Sequence, residues 1–265
     1  MMILAVTATA GSMSHAMAQA APASQTAAPA AQTPQTTAPA TSDLPDAPST
    51  SANVKAPAVP TGPVAVIDTS MGRITCQLFD KLAPIAAANF VGLADGSKDW
   101  IDATTQKKIH GQPFYNGTTF HRVIPGFMIQ GGDRLGTGMG DAGYYFNNET
   151  DPSLTFDVPG RLAMANAGAG PGGTGTNGSQ FFVTEAPQPS LDGGYTIFGQ
   201  CDEHSVLIVA SIARVDRDSN DKPNTPVTIN KIYILRNGEA PPAAPASPET
   251  DHLVIHPGQT PPPSQ

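Results

Sequence analysis

Charged residues are scarce in this chain, 14% of 265 residues, and the balance is acidic, with 22 Asp and Glu against 14 Lys and Arg. No basic stripe is present, so the electrostatic footprint of nucleic-acid binding is missing. Attraction to an anionic membrane surface is missing for the same reason. No run is long and apolar enough to span a bilayer as a helix. Cysteine is limited to Cys76 and Cys201. Their spacing and isolation argue against a metal site, and they read as buried free thiols acting as small hydrophobes. Pairing is the alternative in an oxidising compartment. His121 has no second His or Cys at ligand spacing and reads as a packed, hydrogen-bonded histidine. Ser179 and Ser190 lack a nucleophile elbow. Gly168–Gly173 matches a phosphate-cradle pattern by letter, but no helical pattern follows it. Asn116, Asn148 and Asn177 head glycosylation sequons by pattern only. There is no internal repeat.

Proline, by contrast, is abundant and unevenly placed. The chain has 27 of them. Residues 21–62 are almost entirely Ala, Pro, Thr, Ser and Gln, and residues 239–265 are again Pro-rich. Neither stretch can bury enough apolar surface to offset its ordering entropy, so both are expected to be disordered. Residues 1–20 read as an export signal, apolar over Met2–Thr9 with an A-x-A site at Ala18-Gln19-Ala20. The positive n-region is missing, which suggests a true start further upstream. The expected mature protein is periplasmic or secreted. Residues 63–238 remain as one folded domain, long enough for a sizeable core.

Within that domain, residues 64–69 and 73–79 alternate apolar and polar about Ser70-Met71-Gly72, the pattern of a hairpin with Ile74, Cys76 and Leu78 on one buried face. Pro84 suits a first helical turn. Ala86, Phe90 and Leu93 follow at i, i+4 and i+7, and Asp95-Gly96 ends the helix. Residues 97–113 are polar and irregular, a loop holding the only Trp, Trp100. Short strands are expected at 156–158, 161–166, 180–184, 195–199 and 227–235. Asp202 can cap a second helix with the stripe Val206, Val209, Ala210 and Ala213. Many short strands and two helices without βαβ alternation indicate an all-β barrel or sandwich.

The densest chemistry lies in Thr119–Asp133, TFHRVIPGFMIQGGD. Two apolar runs flank Pro125-Gly126, a turn or bulge signal inside a strand pattern. On a strand, Arg122 and Ile124 share one face, and His121 and Val123 the other. A guanidinium, an amide and two large apolar side chains within nine residues suit a half-apolar, half-polar peptide groove.

That stretch, followed in order by RLAMANA (161–167), NGSQFF (177–182) and LDGGYTIFG (191–199), closely resembles the cyclophilin family of peptidyl-prolyl cis-trans isomerases over roughly residues 63–236. The resemblance implies a closed eight-stranded antiparallel barrel capped by a helix at each end, and it makes the 97–113 loop an insertion, since family members run more directly from the first helix to the FHR strand. It implies an isomerase that assists folding of exported proteins, acts on proline-containing peptide segments as a monomer, and needs no cofactor or metal. Arg122, Phe127 and Gln130 match catalytic positions. Met128, Phe182 and Leu191 would line the proline pocket with Phe127. Asn166 and the backbone near Ala165 would hold the peptide, with Gln180 positioning the groove and Tyr195 at its rim. Ser190 and Tyr195 depart from the better-known eukaryotic pattern, which has Trp and His there, so tight cyclosporin binding is not expected.

The chemistry explains why such residues suffice. Rotation about an X-Pro bond breaks no covalent bond, but amide resonance opposes it by about 18–20 kcal/mol. A catalyst therefore needs only to bind the twisted amide better than either planar isomer. Twisting localises the nitrogen lone pair, and a fixed cation in a water-poor groove is favoured there. A module that captures proline segments without turnover is the competing reading.

Overall fold

The computed structural model describes residues 58–170, 175–236 and 238–243. The signal expected at 1–20, most of the 21–62 linker and most of the 239–265 tail lie outside them. The described residues extend past both expected domain edges. Ala58 packs against an apolar cluster, the Gly62 N–H donates to Leu78 C=O, and Arg73 donates to the carbonyls of Pro242 and Ala243.

The chain opens with the hairpin β1 (Val64–Thr69) and β2 (Gly72–Leu78). Ile74, Cys76 and Leu78 are buried and the residues between them are not, as the alternation predicts. Helix α1 (Pro84–Asp95) follows, with proline in its first turn and Gly96 as a left-handed C-cap at φ 81°. Its N-cap, Ala83, offers no side chain. The carboxylate of Glu149 caps it instead, accepting from Ile85 N–H at 3.0 Å and Ala86 N–H at 2.7 Å. A carboxylate at the positive end of the helix dipole is favourable.

The insert at 97–113 is not irregular throughout. It holds a small hairpin, β3 (Trp100–Ile101) with β4 (Lys108–Ile109). Buried Trp100 anchors it edge-on to Phe114, ring centroids 5.1 Å apart, so tertiary packing overrides a polar local sequence. Strands β5 (Arg122–Ile124), β6 (Met128–Gly131), β7 (Arg161–Met164), β8 (Phe181–Thr184), β9 (Ile197–Cys201) and β10 (Ile229–Leu235) complete the main sheet. No strand forms at 156–158. Phe156 is buried there, but its N–H is taken by the Asp192 side chain rather than by a ladder. Helix α2 (Glu203–Ala213) is capped by Asp202, whose carboxylate accepts from Ser205 N–H. Its buried stripe is Ser205, Val209, Ile212 and Ala213. Val206 and Ala210, expected in that stripe, are only half-buried.

The eight antiparallel strands run in the order β10-β1-β2-β9-β7-β8-β6-β5. The expected closed barrel is not formed. The sheet is an open half-barrel with a 13 Å gap, and its edge strands β5 and β10 do not pair. At one end the backbone ahead of β5 reaches across, Phe120 N–H to Val227 C=O and Ile229 N–H to Thr118 C=O. Beyond that, Val123 N–H is taken by Asp221 C=O, so a loop occupies the edge where a pairing strand would lie. Strand β5 is three residues long and ends at the Pro125-Gly126 turn, too short to carry the ladder further.

The expectation of free thiols is also corrected. Cys76 and Cys201 form a disulfide. They sit opposite each other in register on β2 and β9. Sheet pairing across 125 residues brings them together, and no local pattern announces it.

Strands β7 and β8 are buried along their whole length. Leu162, Met164, Phe181 and Val183 face the main core. Phe90 lies in that core, 5.1–5.3 Å from the rings of Tyr115, Phe181 and Phe198. Ala163 and Phe182 face a second cluster with Phe79, Met128, Leu154, Phe156 and Ile197. Alternate side chains therefore pack on both sides of the wall, which is why these strands read as continuous apolar runs. The second cluster is the bed of the groove described next.

Candidate active site

Nine of the ten residues expected at the site converge on one cavity of about 110 Å³: Arg122, Phe127, Met128, Gln130, Ala165, Asn166, Phe182, Leu191 and Tyr195. Strand pairing brings them together. Arg122 stands opposite Gln130 on β6, and Gln130 stands opposite Phe182 on β8. Ala165 follows β7, and Leu191 sits on a single 3-10 turn, Pro189–Leu191. Ser190, on the same turn, is exposed. Phe182 floors the cavity, stacked on Phe156 below it at 5.9 Å and met edge-on by Tyr195 at 5.5 Å. The guanidinium of Arg122 lies 5.9 Å from the centre of the Phe127 ring. One edge of the cavity is thus cationic, Gln130 and Asn166 add polar groups, and Phe127, Met128, Phe182, Leu191 and Tyr195 supply the apolar and aromatic walls.

The tenth residue, Gln180, acts from behind. Arg122 donates to Gln130 Oε1 at 3.4 Å. Gln130 Nε2 donates to Gln180 Oε1 at 2.9 Å. Gln180 Nε2 in turn donates to the carbonyls of Gly138 and Gly140 at 3.0 and 2.8 Å. The loop carrying those carbonyls is held by fully buried Asp133, which accepts N–H groups from Leu135, Thr137 and Gly138. Burial alone would raise the Asp133 pKa, but backbone donors from Thr137, Leu135, Gly140 and Gly138 hold it below the usual carboxylate range. A Cβ on Gly140 would lie 2.0 Å from Asp133 Oδ1, so only glycine allows that approach. The chain Asp133–loop–Gln180–Gln130–Arg122 fixes the guanidinium while committing only one long bond of it.

Asn166 plays a narrower part than expected. Its Nδ2 donates to Asn148 Oδ1 and Gly194 C=O, and its Oδ1 accepts from Gly168 N–H. Its side chain shapes the loop. Ala165 N–H is taken by Gln180 C=O, leaving the Ala165 carbonyl as its offer to a peptide.

Two contributors escaped the sequence reading, Asp133 and Glu185. Gly126 sits at φ 71° in the left-handed region. Its N–H donates to Glu185 Oε2 at 2.8 Å, and its carbonyl accepts from Gln188 Nε2 at 2.9 Å. Glu185 N–H also donates to Phe127 C=O. The turn presenting Phe127 is therefore clamped by residues 58 and more positions away, as the 59-residue separation of the Gly126–Glu185 bond shows. The only sequence signal was a charged residue directly after an apolar strand.

His121 points to the other face of β5, as the strand alternation predicts, and is buried. Neither ring nitrogen meets strict hydrogen-bond geometry with a partner among the described residues, and the Gln180 side chain is the polar group that lies against it. Burial pushes its pKa down, with the Asp133 carboxylate pulling the other way.

Comparison with known proteins agrees with this geometry. The profile of the cyclophilin type peptidyl-prolyl cis-trans isomerase/CLD family matches residues 64–234. Peptidyl-prolyl cis-trans isomerase A of Mycobacterium tuberculosis is 50% identical over 173 residues, covering 64% of this chain and 91% of that protein. Peptidyl-prolyl cis-trans isomerase B of Streptomyces anulatus is 44% identical over 172 residues, covering 64% and 95%. The chain belongs to the cyclophilin family. It is a peptidyl-prolyl cis-trans isomerase, and proline-containing peptides are its substrate class. Among solved structures, a cyclophilin-type isomerase of Cryptosporidium parvum aligns with TM-score 0.55 and 34% identity, covering 67% of this chain and 99% of that one. A second structure of it, solved in the presence of the dipeptide Ala-Pro, gives 0.55 and 35%, covering 66% and 99%. Among the described residues no helix is long and apolar enough to cross a membrane. No group of three or more potential metal ligands occurs among them either.

Proposed function

We propose that this cyclophilin works as a monomer on exported polypeptides in a periplasm or outside the cell, and that the 110 Å³ cavity is where the proline ring sits. The observation that carries the site assignment is the placement of a held but under-used guanidinium at the edge of an aromatic pocket. Phe127, Met128, Phe182 and Leu191 enclose the ring. Tyr195 closes the rim with its aromatic body and keeps its hydroxyl wet. The Ala165 carbonyl and the backbone at Asn166 hold the peptide main chain. Arg122 then addresses the amide nitrogen as its lone pair localises, and the adjacent proline carbonyl. Both contacts strengthen only as the bond twists, which is the condition for lowering the barrier. Lysine cannot replace this fork with a point charge.

Export is supported by the apolar N-terminus with its A-x-A site and by a disulfide joining the chain's only two cysteines, a usage typical of oxidising compartments. The test is fractionation of the native host together with thiol trapping of the isolated protein. Recovery in the cytoplasm with both thiols free would overturn this placement. Sedimentation at two concentrations tests the monomer, which a concentration-dependent dimer mass would contradict.

A further inference from the structure

We propose that Arg214, at the end of α2, is a positioning residue for the proline pocket: it fixes the Glu185 carboxylate, which holds the Pro125-Gly126 turn and so places Phe127. This rests on the assignment of the 110 Å³ cavity as the proline site.

The turn needs an external hold. Gly126 is exposed, and a Cβ added to it would meet nothing within 4 Å. Packing therefore does not fix the turn, and its hydrogen bonds must. Its N–H donates to Glu185 Oε2 at 2.8 Å, and its carbonyl accepts from Gln188 Nε2 at 2.9 Å. A carboxylate steadies a turn only if it is itself held.

Glu185 is held by Arg214. The Glu185 side chain is 10% exposed, so its charge has lost most of its water and needs a partner. Arg214 Nη1 stands 2.5 Å from Oε1, the oxygen that the turn leaves free. The two oxygens are thus divided, one for the guanidinium and one for the Gly126 N–H. The guanidinium is placed for this by its own helix. The same Nη1 donates to Ala210 C=O at 2.7 Å in the last turn of α2, where a cation is favoured.

The segment after Arg214 returns to the same strand. Asp221 C=O accepts from Val123 N–H at 2.8 Å, beside Arg122. The segment is also tied to itself. Asn224 N–H donates to Asp216 C=O at 2.8 Å, Asp221 N–H to Asp218 C=O at 3.1 Å, and Arg217 Nε to Asp221 Oδ1 at 3.0 Å. The strand and turn that carry Arg122 and Phe127 are therefore gripped at two points by one segment, through the backbone beside Arg122 and through the ion pair at the turn. The ion pair can be removed by itself.

The experiment compares Arg214→Ala, Glu185→Ala, the double variant and Phe127→Ala by NMR titration and exchange spectroscopy on a peptide with one Ala-Pro bond. Arg214→Ala should weaken affinity about three- to tenfold, the loss expected for one member of a coupled pair, and leave the on-enzyme rate within about twofold of wild type. Glu185→Ala already removes the hold, so the double variant should bind no more weakly than Glu185→Ala. Hydrogen exchange at the Gly126 amide should be faster in Arg214→Ala than in wild type. Arg236→Ala is the control for a general loss of stability. It breaks the pair between Arg236, after β10, and Asp95, at the end of α1, with Arg236 51% exposed against 55% for Arg214, and it should leave affinity unchanged. Unchanged affinity in Arg214→Ala, or losses that add in the double variant, would refute the positioning role, while weakened binding by Phe127→Ala would keep the cavity assignment. Wild-type affinity in Phe127→Ala would remove the cavity assignment and this inference with it.

Discussion

Replacing Arg122 by alanine separates catalysis from folding in this protein. The guanidinium is half-buried and, among the described residues, makes a single 3.4 Å bond, to Gln130. No partner carboxylate is left unpaired by its loss, so the cost to stability is expected to be at most about 0.5–1 kcal/mol. Arg161 provides the contrast. It is 4% exposed, bonded to Thr155 C=O at 2.8 Å and paired with Asp157 at 2.9 Å, so its role is structural. For Arg122 the loss falls on the transition state. Removing one preorganised donor typically costs roughly 10²–10³ in rate, about 2.7–4 kcal/mol. Ground-state affinity changes far less, because the apolar walls from Phe127 to Leu191 remain. Exchange spectroscopy on a proline peptide reads the on-enzyme rate and the affinity separately, with a urea titration as the control for folding. If Arg122→Ala retained more than about a third of the wild-type on-enzyme rate, against the loss of roughly 10² or more expected, the role given to the guanidinium would be wrong.

Glu185→Ala frees the turn that presents Phe127, so peptide affinity should weaken by about tenfold, near 1.4 kcal/mol, with the on-enzyme rate falling less; titration by NMR shifts decides this, and equal losses in both would contradict it. Glu149→Ala removes the tertiary cap of α1 and should cost about 1–2 kcal/mol of stability without altering the isomerisation rate, checked by urea midpoint and exchange rate together. Cys76→Ala combined with Cys201→Ala opens a link spanning 125 residues and should cost about 3–5 kcal/mol; because neither residue lines the groove, activity at low temperature should persist, and a loss of rate in folded protein would argue otherwise. His121 is held below its ordinary pKa of 6.5 by burial, opposed by Asp133 and reinforced by Lys222 and Arg122. The unfolded chain therefore takes up this proton first, so stability should fall as pH drops below 6.5 and stop falling once the folded pKa is passed. The depressed Asp133 contributes only later, as pH falls through 3.8 and below. Urea midpoints of wild type and His121→Gln across this range test the assignment, and an identical slope in both would refute it.

The sequence by itself determined the elements whose stability is local. The β1–β2 hairpin follows from strict alternation about a turn. Helix α1 is bounded by Pro84 and Gly96, and α2 by the Asp202 cap. The groove residues were legible because four ordered motifs match a family, and nine of the ten line one cavity. Only the tertiary structure decided what depends on partners distant in the chain. The 97–113 insert forms a hairpin because Trp100 finds Phe114. The cysteines pair because β2 lies beside β9. Glu149 caps a helix 63 residues before it, and Asp133 and Glu185 hold the loop behind Gln180 and the turn before Phe127 through backbone N–H groups. Closure of the barrel failed as an expectation for the same reason. Strand count and alternation say which segments form strands, but whether two edges meet depends on the length of β5 and on the loop that takes its free N–H. Side-chain periodicity is written residue by residue, whereas the partner of a buried carboxylate or an edge N–H is set by the path of the whole backbone.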